Sequence, residues 1–152
     1  MKKIRGFTLV ELIIVMAVIG VLGSLVIIKL VGSEASARDT KRKSDLRQYQ
    51  NALEVYANDN GGLYPLRASA VNPSSLCGSG QPLGVLACAV DPHASSGTNY
   101  AYQTNNPGGT LATQYVLWAS LEKSDEYFIV CSDGQVGTIP IASFSGSGNC
   151  PI

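Results

Sequence analysis

Apolar residues are spread unevenly along this chain. Phe7 to Val31 is a run of 25 residues interrupted by only two charges, Glu11 and Lys29. As a helix rising roughly 1.5 Å per residue it would reach about 37 Å, enough for a hydrocarbon core of about 30 Å. The pattern therefore predicts a membrane-spanning helix over 7–31. Beyond it polar residues dominate, yet Leu46, Tyr49, Leu53 and Tyr56 recur at spacings of three and four, so the helix is expected to continue as an amphipathic stalk over 32–60. Asn60-Gly61-Gly62, with Pro65 just beyond, supplies its stop. From 61 to 152 the periodicity changes to two. Tyr100-Ala101-Tyr102, Tyr115 to Leu121, Tyr127 to Val130 and Val136 to Ile139 read as short strands, with turns at Asn105 to Gly109, Glu122 to Glu126 and Asp133-Gly134. Such a sheet cannot close its own core and needs the helical stripe as its cover, which predicts an α+β head on a long helix.

Composition narrows the function. The 152 residues fit one ordinary domain plus an anchor, and 11 basic side chains balance 11 acidic ones, which excludes a uniformly basic nucleic-acid binder. A single histidine, His93, expected in a surface loop, leaves histidine-based catalysis without partners. No nucleophile elbow, phosphate loop or metal-ligand cluster appears, so no enzymatic activity and no cofactor are expected. Met1 to Gly6 carries Lys2, Lys3 and Arg5 with no acid, placing this end in the cytoplasm and the remainder outside. A conventional cleaved signal, with Ala35-Ser36-Ala37 as its site, is disfavoured by the length of the run and by the carboxylate within it.

Glu11 is the informative residue. A charge within a spanning segment costs up to about 3 kcal/mol by insertion scales, so it calls for a partner. Cutting Gly6-Phe7 would create an amine at a helix N-terminus, where the macrodipole disfavours positive charge, and Glu11 lies one turn away to neutralise it. Periodicity alone leaves open whether that pair forms within one chain or between two.

The stretch Gly6-Phe7-Thr8-Leu9-Val10-Glu11-Leu12-Ile13-Ile14-Val15-Met16-Ala17, behind its basic leader, resembles the N-terminus of type IV pilins and of type II secretion pseudopilins. The resemblance implies a leader, 1–6, removed by a prepilin peptidase between Gly6 and Phe7, N-methylation of Phe7, and pairing of Glu11 with the Phe7 amine of a neighbouring subunit during filament assembly. It implies a precursor in the inner membrane, an assembly platform there as partner, and an extracellular or periplasmic homo-oligomeric filament, either a pilus or a secretion pseudopilus; the rival reading is a monomeric extracytoplasmic protein anchored by one helix. Asn60-Gly61-Gly62-Leu63-Tyr64-Pro65, Asp91-Pro92 and Tyr100-Ala101-Tyr102 resemble landmarks of major pseudopilins. Many pilins carry a proline in the apolar half of the helix; here Gly20, Gly23, Ser24 and Gly32 stand instead, as packing positions or as a segment that unwinds on assembly. Major pseudopilins often bind calcium in their C-terminal loop, but Asp125 and Asp133 lie in surroundings that do not match, and no metal is expected.

Two charge and sulfur patterns complete the reading. Arg38, Lys41, Arg42, Lys43 and Arg47 face only Asp39 and Asp45, a basic collar that reads either as a solvated helix surface or as a patch that meets the acidic head of another subunit; DNA binding by it is unsupported, since no aromatic platform accompanies it. All four cysteines follow the apolar run, on the side expected to be oxidising. The favoured pairings are Cys77 with Cys88 and Cys131 with Cys150, each closing a short Gly/Ser-rich segment, the second pinning the C-terminal loop to the sheet.

Overall fold

A computed structural model of the chain describes residues 6–30, 33–84, 89–94, 100–105, 109 and 112–152, with the side chains of 25–30 excepted. It divides into two units, residues 1–34 and 35–152.

The first unit is helix α1, Leu9–Leu30. Its sequence is rich in Leu, Ile and Val, and the large apolar side chains from Leu9 to Leu22 are 51% to 74% exposed. Helical structure runs through Gly20 and Gly23, where an added Cβ would meet open space. Among the described residues no helix is long and apolar enough to cross a membrane. Val31, the last residue of the expected crossing over 7–31, lies outside the described residues. Gly32 lies outside the described residues.

The second unit is built on helix α2, Ser33–Asp59. Leu46, Tyr49 and Leu53 are fully buried, and Tyr56 packs against the same cluster. The helix stops where the glycines predict. Gly61 and Gly62 take φ of 69° and 82°, in the region that costs glycine least, and the Gly62 N–H donates to the Ala57 carbonyl at 2.7 Å. Four antiparallel strands follow in the order β1 (Ala101–Thr104), β2 (Tyr115–Ser120), β3 (Glu126–Cys131) and β4 (Val136–Pro140). Asn105 sets the connection from β1, its Oδ1 accepting from the Thr113 and Gln114 amides.

Alternation along β2 and β3 sorts the core into two layers. Tyr115, Leu117, Ala119, Phe128 and Val130 pack with the α2 stripe and with Tyr100 and Tyr102. Val116, Trp118, Ile129 and Cys131 pack on the opposite face with Phe144, Ile139 and Cys150. That second face is covered by the C-terminal segment, 141–152, acting as a strap. Phe144 stacks edge-on against Trp118 and Tyr127, with ring centroids 4.8 and 5.6 Å away. At Gly148 the strap crosses the end of β1 so closely that a Cβ would lie 2.0 Å from the Thr104 carbonyl carbon. A disulfide between Cys131 and Cys150 ties the strap to β3.

Candidate functional site: the N-terminal helix start and its supporting head

The start of α1 is a capping box. Thr8 immediately precedes the first helical residue, and Glu11 stands three positions on, the spacing at which each side chain reaches the other's backbone. The Thr8 amide and hydroxyl both donate to Glu11 Oε2, at 2.9 and 2.8 Å, and the Glu11 amide donates to Thr8 Oγ1 at 3.3 Å. Glu11 is thus held at the helix N-terminus, pointing its charge toward the end that favours an anion. The sequence reading treated Glu11 only as a countercharge for an amine. The Thr-x-x-Glu spacing could have revealed its partner within the chain, and Thr8 is the residue that reasoning missed. Gly6 and Phe7 are exposed just before the cap, Phe7 at 85%.

The head holds a second constellation that the sequence did not announce. Arg42, expected in an exposed collar, is fully buried. Its guanidinium grips Asp91 with two bonds, Nε to Oδ2 at 2.8 Å and Nη2 to Oδ1 at 3.1 Å. It also reaches Asp39 at 3.1 Å and Glu122 at 2.6 Å. Arg38 closes on the other side of Glu122 at 2.7 Å. Asp39 in turn accepts the Glu122 and Lys123 amides, at 2.8 and 3.1 Å, which locks the β2–β3 connection onto α2. His93 is half-exposed but not idle: its amide donates to Asp91, and its Nδ1 stands 3.7 Å from Glu122. Burial opposes the charge on Arg42, but Asp91 and Glu122 outweigh it and raise its pKa above the ordinary value. Glu122 is pulled down to about 2, first by its hydrogen bond from Arg38, against some desolvation, and then by Arg42.

The basic collar therefore needs correcting. Lys41 pairs with Asp45, at 2.5 Å, and Asp45 also receives the Tyr100 hydroxyl at 2.7 Å. Three of the five collar bases are paired within the head: Arg42 is buried and Arg38 half-buried against carboxylates from distant parts of the chain, while the exposed Lys41 pairs one turn along α2. Further along α2, Glu54 accepts from the Tyr64 and Tyr115 hydroxyls. Burial, then the Glu54 carboxylate, pushes the Tyr64 phenol up to about 12.

The Cys77–Cys88 pairing lies outside the described residues, because Cys88 does. Asp133 lies close to the Cys131 and Cys150 sulfurs, but both sulfurs belong to the disulfide and offer no thiolate. Its carboxylate already accepts from the Gln135 amide and side chain.

Comparison with known proteins turns on the same N-terminal tract. Residues 1–27 match the prokaryotic N-terminal methylation motif. The chain is 47% identical over 138 residues to the type II secretion system core protein G of Escherichia coli, covering 90% of this chain and 87% of that protein. The corresponding protein of Klebsiella pneumoniae is 31% identical over 97% of this chain and 89% of its own length. The type IV wide pilus major component PilA4 of Thermus thermophilus is 31% identical over 73% and 80% of the two chains. With relatives at 31% to 47% identity covered over most of both lengths, the chain belongs to the type IV pilin and type II secretion pseudopilin family.

Proposed function

We propose that this chain is a prepilin that becomes the repeated structural subunit of a helical filament, with no catalytic role. The observation that carries the reading is the exposed apolar face of α1, from Leu9 to Leu22, directly after the Gly6-Phe7 junction and the Glu11 cap. Contiguous apolar surface on that scale needs lipid or other copies of itself to cover it. In the precursor, 7–31 sits in the inner membrane with the leader, 1–6, in the cytoplasm; 32–60 forms the stalk and 61–152 the head. A prepilin peptidase cuts after Gly6, and the new Phe7 amine is methylated. An inner-membrane assembly platform then passes subunits into the growing filament, where Glu11 exchanges its local donors for the Phe7 amine of an adjoining copy. Cys77 and Cys88 form a second bridge in the head, on the oxidising side.

Higher identity to the core protein G of Escherichia coli, over most of both chains, favours a secretion pseudopilus in the periplasm. The match to a wide pilus component supports a surface fibre as the second reading. Purified filaments test the shared core of both: mass spectrometry should find a subunit that begins at a methylated Phe7. A filament subunit still bearing Met1 to Gly6, or an absence of filaments under full expression, would overturn it.

A further inference from the structure

Two cavities in the head have no part in the account above. The larger, about 750 Å³, lies between α2 and residues 80–83; the chemically pointed one, about 510 Å³, lies between the start of α2 and the β2–β3 connection. Lys43 and Lys123 bring two ammonium groups to it, Ser36 and Thr138 two hydroxyls, Glu126 one carboxylate, and Leu121 an apolar wall. Neither lysine makes an ion pair with any described residue, in a head where Arg38, Lys41 and Arg42 are all paired. Lys43 is held in place by the Phe128 ring, its Nζ 5.5 Å from the centroid. Asp39, which also lines the cavity, is committed to Arg42 and to two backbone amides. What remains is two positive charges and two hydroxyl donors beside a single acid, Glu126, whose Oε2 accepts from Ser124.

We infer that this cavity binds a phospholipid headgroup, its phosphodiester held by Lys43 and Lys123 and a headgroup ammonium, where there is one, by Glu126. The inference rests on the membrane-inserted precursor proposed above. Ser36, the first residue of the cavity, follows Leu30, the last residue of α1, by only six positions, so the cavity belongs to the first turns of chain beyond the apolar helix. Six residues of chain span at most about 21 Å, which keeps these ammonium and hydroxyl donors within reach of lipid phosphates, and a lone carboxylate among them matches an amine-bearing headgroup better than an anionic one.

Native mass spectrometry of the full chain in detergent, with phosphatidylethanolamine, phosphatidylglycerol or phosphatidylcholine added, tests this. The wild type should retain phosphatidylethanolamine most, by about fivefold over phosphatidylcholine. Lys43→Ala with Lys123→Ala should remove that retention, Glu126→Gln should equalise the ethanolamine and glycerol lipids, and Arg47→Ala, a basic change outside the cavity, should do neither. Equal retention of all three lipids, or an equal loss from Arg47→Ala, would overturn the inference. Soluble glycerophosphoethanolamine and inorganic phosphate form the second arm: thermal stabilisation by phosphate alone, without lipid retention, would assign the cavity to a free anion and overturn the lipid reading. A chain that builds filaments yet shows no lipid preference would fail here while leaving the filament function intact.

Discussion

From Leu9 to Leu22 the chain leaves every large apolar side chain at least half exposed, whereas beyond residue 35 it buries even a guanidinium. The two units thus depend on different partners. The head supplies its own: α2 covers one face of the sheet, the C-terminal strap covers the other, and Arg42 finds three carboxylates within the same unit. The N-terminal helix supplies almost nothing to itself beyond its backbone bonds and the Thr8–Glu11 cap, so its stability as a folded object has to come from lipid or from copies of the chain. Changes in the head should therefore act on folding of the monomer, and changes at the start of α1 on assembly.

The largest effect is expected at Arg42. Arg42→Ala strands Asp91 and Asp39 in a buried site without their counterion, and breaking a buried pair from one side costs about 3–5 kcal/mol. Chemical denaturation of the variant should show that loss. If the head keeps its wild-type midpoint, the node is ornamental and the contrast between the units is weaker than drawn. Next comes the strap: Cys150→Ser opens a link between residues 19 apart and should cost about 3 kcal/mol, with Trp118 emission shifting red as Phe144 loosens from it. An unchanged emission maximum would mean that packing alone holds the strap.

A smaller, pH-dependent effect belongs to Glu122. Its carboxyl is depressed from 4.5 to about 2 in the folded head, so its contribution is complete above 4.5, declines as the pH falls below that, and is gone below about 2. Thermal melts across that window should show stability falling with acid, and Glu122→Gln should flatten the curve there. At the small end, Thr8→Ala removes the helix cap and should cost α1 about 1 kcal/mol at its first turn, seen as faster amide exchange at Leu9 to Leu12 and no change in the melting of the head.

These contrasts also separate what was legible in the sequence from what was not. Period-two and period-three-to-four patterns located the four strands and the α2 stripe within a residue or two, because those patterns report burial directly. Gly61 and Gly62 marked the helix end, since a positive φ there has few other tenants. The Arg42 node was invisible because Asp91 and Glu122 lie 49 and 80 positions away, and counting local charges turned a buried ion network into a surface collar. The strap was half legible. Cysteine position suggested its link to β3, but nothing in the sequence distinguishes Gly148, which presses on Thr104, from the glycines of an ordinary loop. At the N-terminus the family resemblance was legible, as the match over residues 1–27 bears out, while the role of Thr8 was overlooked although its spacing to Glu11 was equally plain.

The central claim is that Glu11 acts between copies of the chain while the head folds alone, and one measurement addresses it directly. In cells carrying Glu11→Ala, the yield of assembled filaments is quantified beside the melting temperature of the full-length subunit extracted in detergent. The account predicts that filaments fall at least tenfold while the head melts as in the wild type. Wild-type filament yield from the Glu11→Ala chain would contradict it.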